Sequence, residues 1–384
     1  MKKQLKLFIF FILIASSIQA QIIYSPNNHI EYHVGTVPIV LSAPHGGGLE
    51  PANIPDRTCN NPTIVRDSRT RELALAIDSM FHLRTGCRIH LIVCNLRRTK
   101  LDCNRDITDG ACGNLDAEIA WTAFQHYIDS ARLLSESNFA ENFYIDLHGH
   151  GHTKQRLELG YLLWGSRLRN SDSTLNTSTF VGYGSIQNMV TSNVNNYKHA
   201  ELIRGSKALG TLLTDAGYPS VPSMQDIHPD TTDPFFSGGH NTRVHTCATP
   251  GVSANGVQIE CNWTGVRDTK SNRIKFADSL SKVLIDYLNH NFNMNFGFCA
   301  PTMANSITKN QLIVYPSILA ANEILKIKNI SQNVDYKIYN ITGSVVQEGK
   351  AQHSIRIKNN LAAATYFIQL KTKNGILRTK IIIQ

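Results

Sequence analysis

What this chain lacks narrows its class before any motif is read. Beyond residue 20 no segment approaches the ~18 consecutive apolar residues that a spanning helix needs, so no integral membrane segment is expected after the N-terminal stretch. Basic charge is scarce where a nucleic-acid-binding domain would need it. Residues 1–20 carry three lysines and no acid, and residues 309–384 carry eleven Lys/Arg against three Asp/Glu. The middle of the chain is therefore slightly acidic although the whole is +9, and no nucleic-acid partner is expected. Cys-x-x-Cys pairs are absent, which argues against a structural zinc held by thiolates. Both ends lack cysteine, because all eight lie between Cys59 and Cys299. An even number in an exported chain suggests disulfides. Cys103–Cys112 is the favoured pair, since it closes a short loop.

What is present begins with an export signal. Lys2, Lys3 and Lys6 precede the apolar run Leu7–Ile14, and Ser16-Ser17-Ile18-Gln19-Ala20 offers small residues for cleavage. Residues 1–20 thus read as a secretory signal peptide, too short in its apolar part to span a membrane. The remaining length suggests two domains. Residues 21–295 alternate strand-like and helix-like patterns, with helix candidates at Arg71–Phe81, Leu115–Leu134, Ala200–Ala216 and Asn272–Asn289 and a strand candidate at Arg88–Cys94. The expected fold is α/β, a central mostly parallel (mixed) sheet with helices on both faces. Residues 166–198, rich in Ser, Thr and Asn, read as a long irregular insertion.

After a linker at 296–309 the texture changes. Ile324–Ile330, Tyr336–Ile341, Ser354–Ile357, Tyr366–Thr372 and Arg378–Ile383 are short, β-branched or aromatic, and separated by turn signals. Residues 310–384 are therefore expected to form a small antiparallel β-sandwich. Val314-Tyr315-Pro316, Ile338-Tyr339-Asn340-Ile341-Thr342-Gly343, Leu361…Tyr366-Phe367-Ile368 and Lys380-Ile381-Ile382-Ile383 resemble the C-terminal sorting domain of the bacterial type IX secretion pathway. The resemblance implies handling by that machinery and a secreted or cell-surface protein.

Three apolar runs end in groups that carry chemistry. Val37–Ala43 leads into Pro44-His45-Gly46-Gly47-Gly48, Phe143–Leu147 into His148-Gly149-His150, and Gly256–Ile259 into Glu260-Cys261-Asn262. In open α/β sheets the ligand crevice lies outside the carboxyl ends of the strands. Two histidines and a glutamate delivered there suggest a zinc hydrolase. Strand alternation puts Asp146 on the face of His148, where a carboxylate can fix the tautomer of a ligating imidazole. His150 either contacts substrate or caps its loop. Catalytic zinc commonly takes two nitrogens, a carboxylate and a water, so the third ligand is sought between the histidines. Glu50, Asp67 and Glu72 all qualify. Asp67 leads, although an acid just before a helix could equally be an N-cap. Glu260 at a buried strand end suits a general base, with an ion pair to Arg267 as the competing role. Arg105, beside Asn104, can grip a substrate carboxylate in a bidentate fork, and Arg243 and Arg267 are further candidates.

In order, Pro44-His45-Gly46-Gly47, Asp102-Cys103-Asn104-Arg105, Asp146-Leu147-His148, Phe236-Ser237-Gly238-Gly239-His240-Asn241-Thr242-Arg243 and Gln258-Ile259-Glu260 resemble the N-formylglutamate amidohydrolase family, which is similar in fold to zinc carboxypeptidases. The resemblance implies one zinc per chain on His45, an acid and His148, with Glu260 as general base and acid. It implies that Asn104 and Arg105 serve catalysis, Arg105 holding a substrate carboxylate. Carboxypeptidases place the acidic ligand three residues after the first histidine, where this chain has Gly48. The expected activity is hydrolysis of an amide in a carboxylate-bearing substrate, an N-acyl amino acid or a peptide C-terminus. A cell-wall amidase or esterase and a catalytically silent binding protein on the same scaffold are the alternatives.

Overall fold

The computed structural model describes residues 21–296, 299, 313–315, 318–328, 333–340, 344–372 and 375–383. The chain divides into two compact units, Met1–Ala300 and Pro301–Gln384. The expected signal peptide 1–20, residues 300–309 of the expected linker and the expected turn Ile341-Thr342-Gly343 lie outside the described residues.

Short runs of Ile, Val and Leu bounded by Gly, Pro and Asn become the strands of the first unit. β1 (Ile22–Tyr24), β2 (Ile30–His33), β3 (Ile39–Ala43), β4 (His90–Cys94), β5 (Phe143–Gly149), β6 (Leu157–Gly160), β7 (Ser220–Val221) and β8 (Asn255–Cys261) form one sheet in the order β1-β2-β4-β3-β5-β8-β6-β7. The inner pairs β4–β3, β3–β5 and β5–β8 are parallel, as is β6–β7. The pairs β1–β2, β2–β4 and β8–β6 are antiparallel. The sheet is mixed and mostly parallel, with helices on both faces.

Side-chain alternation along the strands builds two cores. Ile39, Leu41, Ile145 and Leu147 meet Leu73, Ile77 and Phe81 of the helix Thr70–Thr85 and Phe276, Leu280 and Leu284 of the helix Lys270–Phe292. Val40, Ile92 and Tyr144 face the other way, against Ala120, Phe124 and Ile128 of the helix Leu115–Asn138. Each Leu, Ile, Val or Phe among them contributes ~1.5–3 kcal/mol by leaving water. Asn114 and Thr269 start the two long helices by accepting the backbone N–H of Ala117 and Asn272.

The structure departs from the sequence pattern in several places. The helix expected over 200–216 is two, His199–Arg204 and Leu209–Asp215, because Gly205 takes an extended conformation between them. The insertion 166–198 contains four short helices, Gly165–Leu168, Asp172–Leu175, Ser178–Val181 and Gln187–Ser192. The favoured disulfide is corrected. Cys112 pairs with Cys59, and Cys87 pairs with Cys299. Cys103 is unpaired and fully buried beside Leu101, Cys94 and Phe124. Cys112 ends the helix Ile107–Ala111 in a left-handed conformation, its Cα 5.7 Å from that of Cys59. Short spacing favoured the wrong partner because Cys103 points into the core.

In the second unit, Ile318–Leu319, Val334–Tyr339, Val345–Ala351, Ala364–Thr372 and Gly375–Ile383 form one sheet, and Ile313–Tyr315, Ile324–Lys328 and Ser354–Arg356 form a smaller one. The pairing is antiparallel except for Ile318–Leu319 against Gly375–Ile383. Leu325, Ile327, Ile338, Ile368, Leu370 and Ile381 are buried as its core. Val345–Ala351 is a strand the sequence pattern omitted, because its alternation is broken by Gln347, Glu348 and Lys350.

A non-reducing peptide map should contain Cys59–Cys112 and Cys87–Cys299 and no Cys103–Cys112. Closing a loop of 53 residues predicts that C59S/C112S loses ~4 kcal/mol of stability. Urea unfolding of both proteins measures it, and a loss below ~1 kcal/mol would contradict the pairing.

Candidate active site

The C-terminal ends of β3, β5 and β8 open onto one cavity of about 600 Å³, lined among others by His45, Asp67, His148 and Glu260. His45 leaves β3 through Gly46-Gly47. A Cβ on Gly46 would lie 2.3 Å from the Arg71 nitrogen, and one on Gly47 2.2 Å from the Asn95 carbonyl carbon. Only glycine lets the chain pass so close to two neighbouring backbones. The Asp67 N–H donates to the His45 carbonyl (3.2 Å), which brings the acid beside the histidine.

The acid is not a helix cap. The helix Thr70–Thr85 is preceded by Arg69 in a left-handed conformation with no side-chain cap. The Asp67 carboxylate instead turns inward, with Oδ2 3.1 Å from His148 Nδ1, 3.4 Å from His45 Nδ1 and 3.2 Å from the Gly149 N–H that donates to it. His45 Nδ1, Asp67 and His148 offer ligand atoms within 4.8 Å of one another, all three residues buried. Glu50 and Glu72 stand apart, paired with Arg97 (2.6 Å) and Arg69 (2.8 Å).

Each imidazole is held from behind. His45 Nε2 lies 2.6 Å from Asp102 Oδ1, and His148 Nε2 lies 2.8 Å from Asp146 Oδ2. Asp102 also accepts from Arg98 (3.0 Å), and Asp146 from Ser42 (2.7 Å). With Nε2–H of both rings donated to buried carboxylates, both Nδ1 atoms are left facing Asp67. His45 Nδ1 is buried without a hydrogen-bond partner. This donor set suits a divalent cation: two imidazole nitrogens, one carboxylate oxygen, and a carboxylate behind each ring.

Electrostatics agree with the geometry. Burial opposes ionisation of Asp67, but His45 and His148 hold its carboxyl well below the usual range. Burial works against a charged His148, yet Asp146 and Asp67 hold its imidazole well above its ordinary value. A cation held there would therefore compete with a proton for the same Nδ1. Glu260, buried at the end of β8, is pushed up to about 8, chiefly by burial and further by Asp67 and Glu158. Gln258 donates to its Oε1 (3.1 Å).

Of the remaining expected residues, Asn104, Arg105 and Arg243 line the cavity. Asn104 Oδ1 accepts from the Asn241 N–H (2.8 Å), and its Nδ2 lies 3.2 Å from His148 Nε2. Arg105 is half exposed, with Nε 4.0 Å from Asp102. Arg267 and His150 are engaged by the backbone instead. Arg267 does not line the cavity: its buried guanidinium donates to the carbonyls of Cys261 (3.0 Å), His150 (2.7 Å) and Ser68, bracing the ends of β5 and β8. His150 lines the cavity, but its Nε2 donates to the Arg156 carbonyl (2.8 Å) and its Nδ1 accepts the His152 N–H (3.1 Å). It caps its loop and has no ring nitrogen left for substrate. Sequence reasoning missed the role of Asp102, 57 residues from His45, and those of Arg98, His152 and Glu158. The motif containing Asp102 offered one signal, and the histidine-rich run Gly149-His150-Gly151-His152 another.

Residues 314–384 match the family described as the secretion system C-terminal sorting domain. The match marks the chain as exported, to the cell surface or beyond, and among the described residues no helix is long and apolar enough to cross a membrane. No curated protein matches the sequence. Among solved structures, an N-formylglutamate amidohydrolase from Ralstonia eutropha is 13% identical over 66% of this chain and 94% of its own, with a TM-score of 0.39. An N-acetylmuramyl-L-alanine amidase from Mycobacterium abscessus, in its apo form, is 13% identical over 65% of this chain and 98% of its own, with a TM-score of 0.32.

A carboxyl raised by folding stabilises the folded state below its unfolded pKa of ~4.3, and that contribution is lost as pH rises through its folded value, here about 8. Metal-free wild type should therefore lose more stability between pH 5 and pH 8 than metal-free Glu260→Gln. Denaturant titrations at the two pH values measure the difference, and equal slopes would contradict the burial of Glu260.

Proposed function

We propose that this chain is an exported zinc-dependent amidohydrolase, cleaving the C–N bond of a carboxylate-bearing substrate such as an N-acyl amino acid or a peptide C-terminus. The observation that carries the reading is the convergence of His45 Nδ1, Asp67 Oδ2 and His148 Nδ1 on the cavity that Glu260 also lines. Those three residues would hold the ion. Zinc bound there supplies a Lewis acid for the amide carbonyl and lowers the pKa of a water.

The chain's own groups supply the rest. Glu260, buried and held by Gln258, takes a proton from the attacking water; its raised pKa suits that exchange near neutral pH. Asp102 and Asp146 fix the orientation of the two imidazoles and keep Nδ1 free. Arg105 and Arg243, both exposed and on the cavity wall, are placed to grip a substrate carboxylate and set the scissile bond's position. The motif order from Pro44-His45 to Gln258-Ile259-Glu260 supports the same chemistry. The sorting domain supports export, so the substrate is one met outside the cell.

Glu260→Gln should keep its metal and lose ~10²–10⁴ in kcat on N-acyl amino acids, whereas full activity would refute the mechanism. Asp102→Asn should weaken zinc affinity ~10–100-fold while leaving the donor atoms in place. Competition with a chromogenic chelator measures this, and unchanged affinity would remove Asp102 from the site.

A further inference from the structure

Beside the proposed metal group, one cross-strand row of the sheet carries a second acid. His148 of β5 is in register with Glu260 of β8, and Glu260 is in register with Glu158 of β6. Directly opposed side chains on one face lie ~5 Å apart. Glu158 is almost completely buried, and both its oxygens are engaged. Oε1 lies 2.7 Å from His152 Nδ1, and Oε2 accepts the Phe236 N–H (2.8 Å). The row therefore ends in an imidazole.

That imidazole is held in one orientation. Phe236 stacks on it (centroids 4.8 Å apart, 13° between planes), and the His150 ring lies 4.8 Å away on a tilt. The loop beneath is anchored by Arg156, paired with Asp226 (2.7 Å) and Asp233 (2.9 Å), and by Lys154, also on Asp233 (2.8 Å). His152 keeps a partly exposed side chain and lines the same cavity as Glu260. Its Nε2 has no hydrogen-bond partner among the described residues. A carboxylate on Nδ1 with Nε2 open to a reaction cavity is the arrangement in which an imidazole passes a proton to a leaving group. His150, His152 and Glu158 also cluster closely enough to suggest a cation, but both ring nitrogens of His150 are already hydrogen-bonded.

We propose that His152 is a catalytic proton donor to the leaving nitrogen and that Glu158 is its positioning residue. The inference rests on the amide-hydrolysis reading above. Water's oxygen forms the new bond to the acyl carbon, and its proton goes to Glu260. As the C–N bond breaks, its electron pair returns to nitrogen, which takes the proton from His152 Nε2. Glu260 then releases its proton to solvent and His152 regains one, so the cycle closes without net change in the protein. An amide nitrogen cannot leave as an anion, whereas a phenolate can, its conjugate acid having a pKa of ~10.

The test uses the metal-loaded full chain and two probes with the same carboxylate-bearing frame, 3-acetamidobenzoate and 3-acetoxybenzoate. His152→Gln should lose ~10²–10⁴ in kcat/KM on the amide and less than ~10-fold on the ester. Glu158→Gln should give the same selective pattern with a smaller loss, which a merely structural role would not. Equal losses on both probes, or none, would overturn the proposal. A fall in bound metal in His152→Gln would also overturn it, by making His152 a ligand. Glu260→Gln should slow both probes, and its failure to do so would sink the hydrolase reading itself. Wild type inactive on both would remove the reading and the inference together.

Discussion

Four carboxylates, Asp67, Asp102, Asp146 and Glu260, are buried around two imidazoles, and most of the site's architecture answers to that constraint. Buried like charges are costly unless each is paired or hydrogen-bonded. Asp102 is answered by His45, Arg98 and Arg57, and Asp146 by His148 and Ser42. Asp67 has the His45 and His148 rings, the Gly149 amide and, at 3.6 Å, Arg98. Glu260 has no cationic partner in direct contact among the described residues, so burial raises its pKa. The asymmetry divides the four acids by role. Three are held ionised by the groups around them, and one has its pKa raised.

The sheet makes this arrangement possible at little local cost. Parallel β3, β5 and β8 end together, so residues far apart in sequence meet where the strands stop. Helices packed on both faces keep the strand bodies dry and rigid. Gly46 and Gly47 let the first histidine loop slip beneath its neighbours, and Arg267 braces the ends of the other two strands by binding three backbone carbonyls. The antiparallel addition of β6 extends one cross-strand row from His148 through Glu260 to Glu158. His148, Glu260 and Glu158 share that row because the register aligns them.

Much of this was legible in the sequence, for a physical reason. Apolar runs ending in His45, His148 and Glu260 mark strands whose ends meet a crevice, and strand alternation alone paired Asp146 with His148. Asp67 stayed ambiguous because an acid before a helix serves equally as a cap. Its contact with His45 depends on a backbone bond that only the folded chain makes. Asp102, Glu158 and His152 are placed by tertiary contacts with no local periodicity to announce them. Arg267 and His150 have suitable chemistry for binding substrate, but their polar atoms are consumed by backbone groups. Cys103 misled because loop length is visible in sequence and side-chain direction is not.

The central claim is that the buried His45–Asp67–His148 group exists to hold one zinc ion. Metal content of the purified full chain, counted by mass spectrometry after export and dialysis, tests it most directly. The account predicts about one zinc per chain, lost in Asp67→Ala as well as in either histidine→Ala variant while the fold survives. A wild-type protein that stays metal-free after zinc is supplied would contradict it.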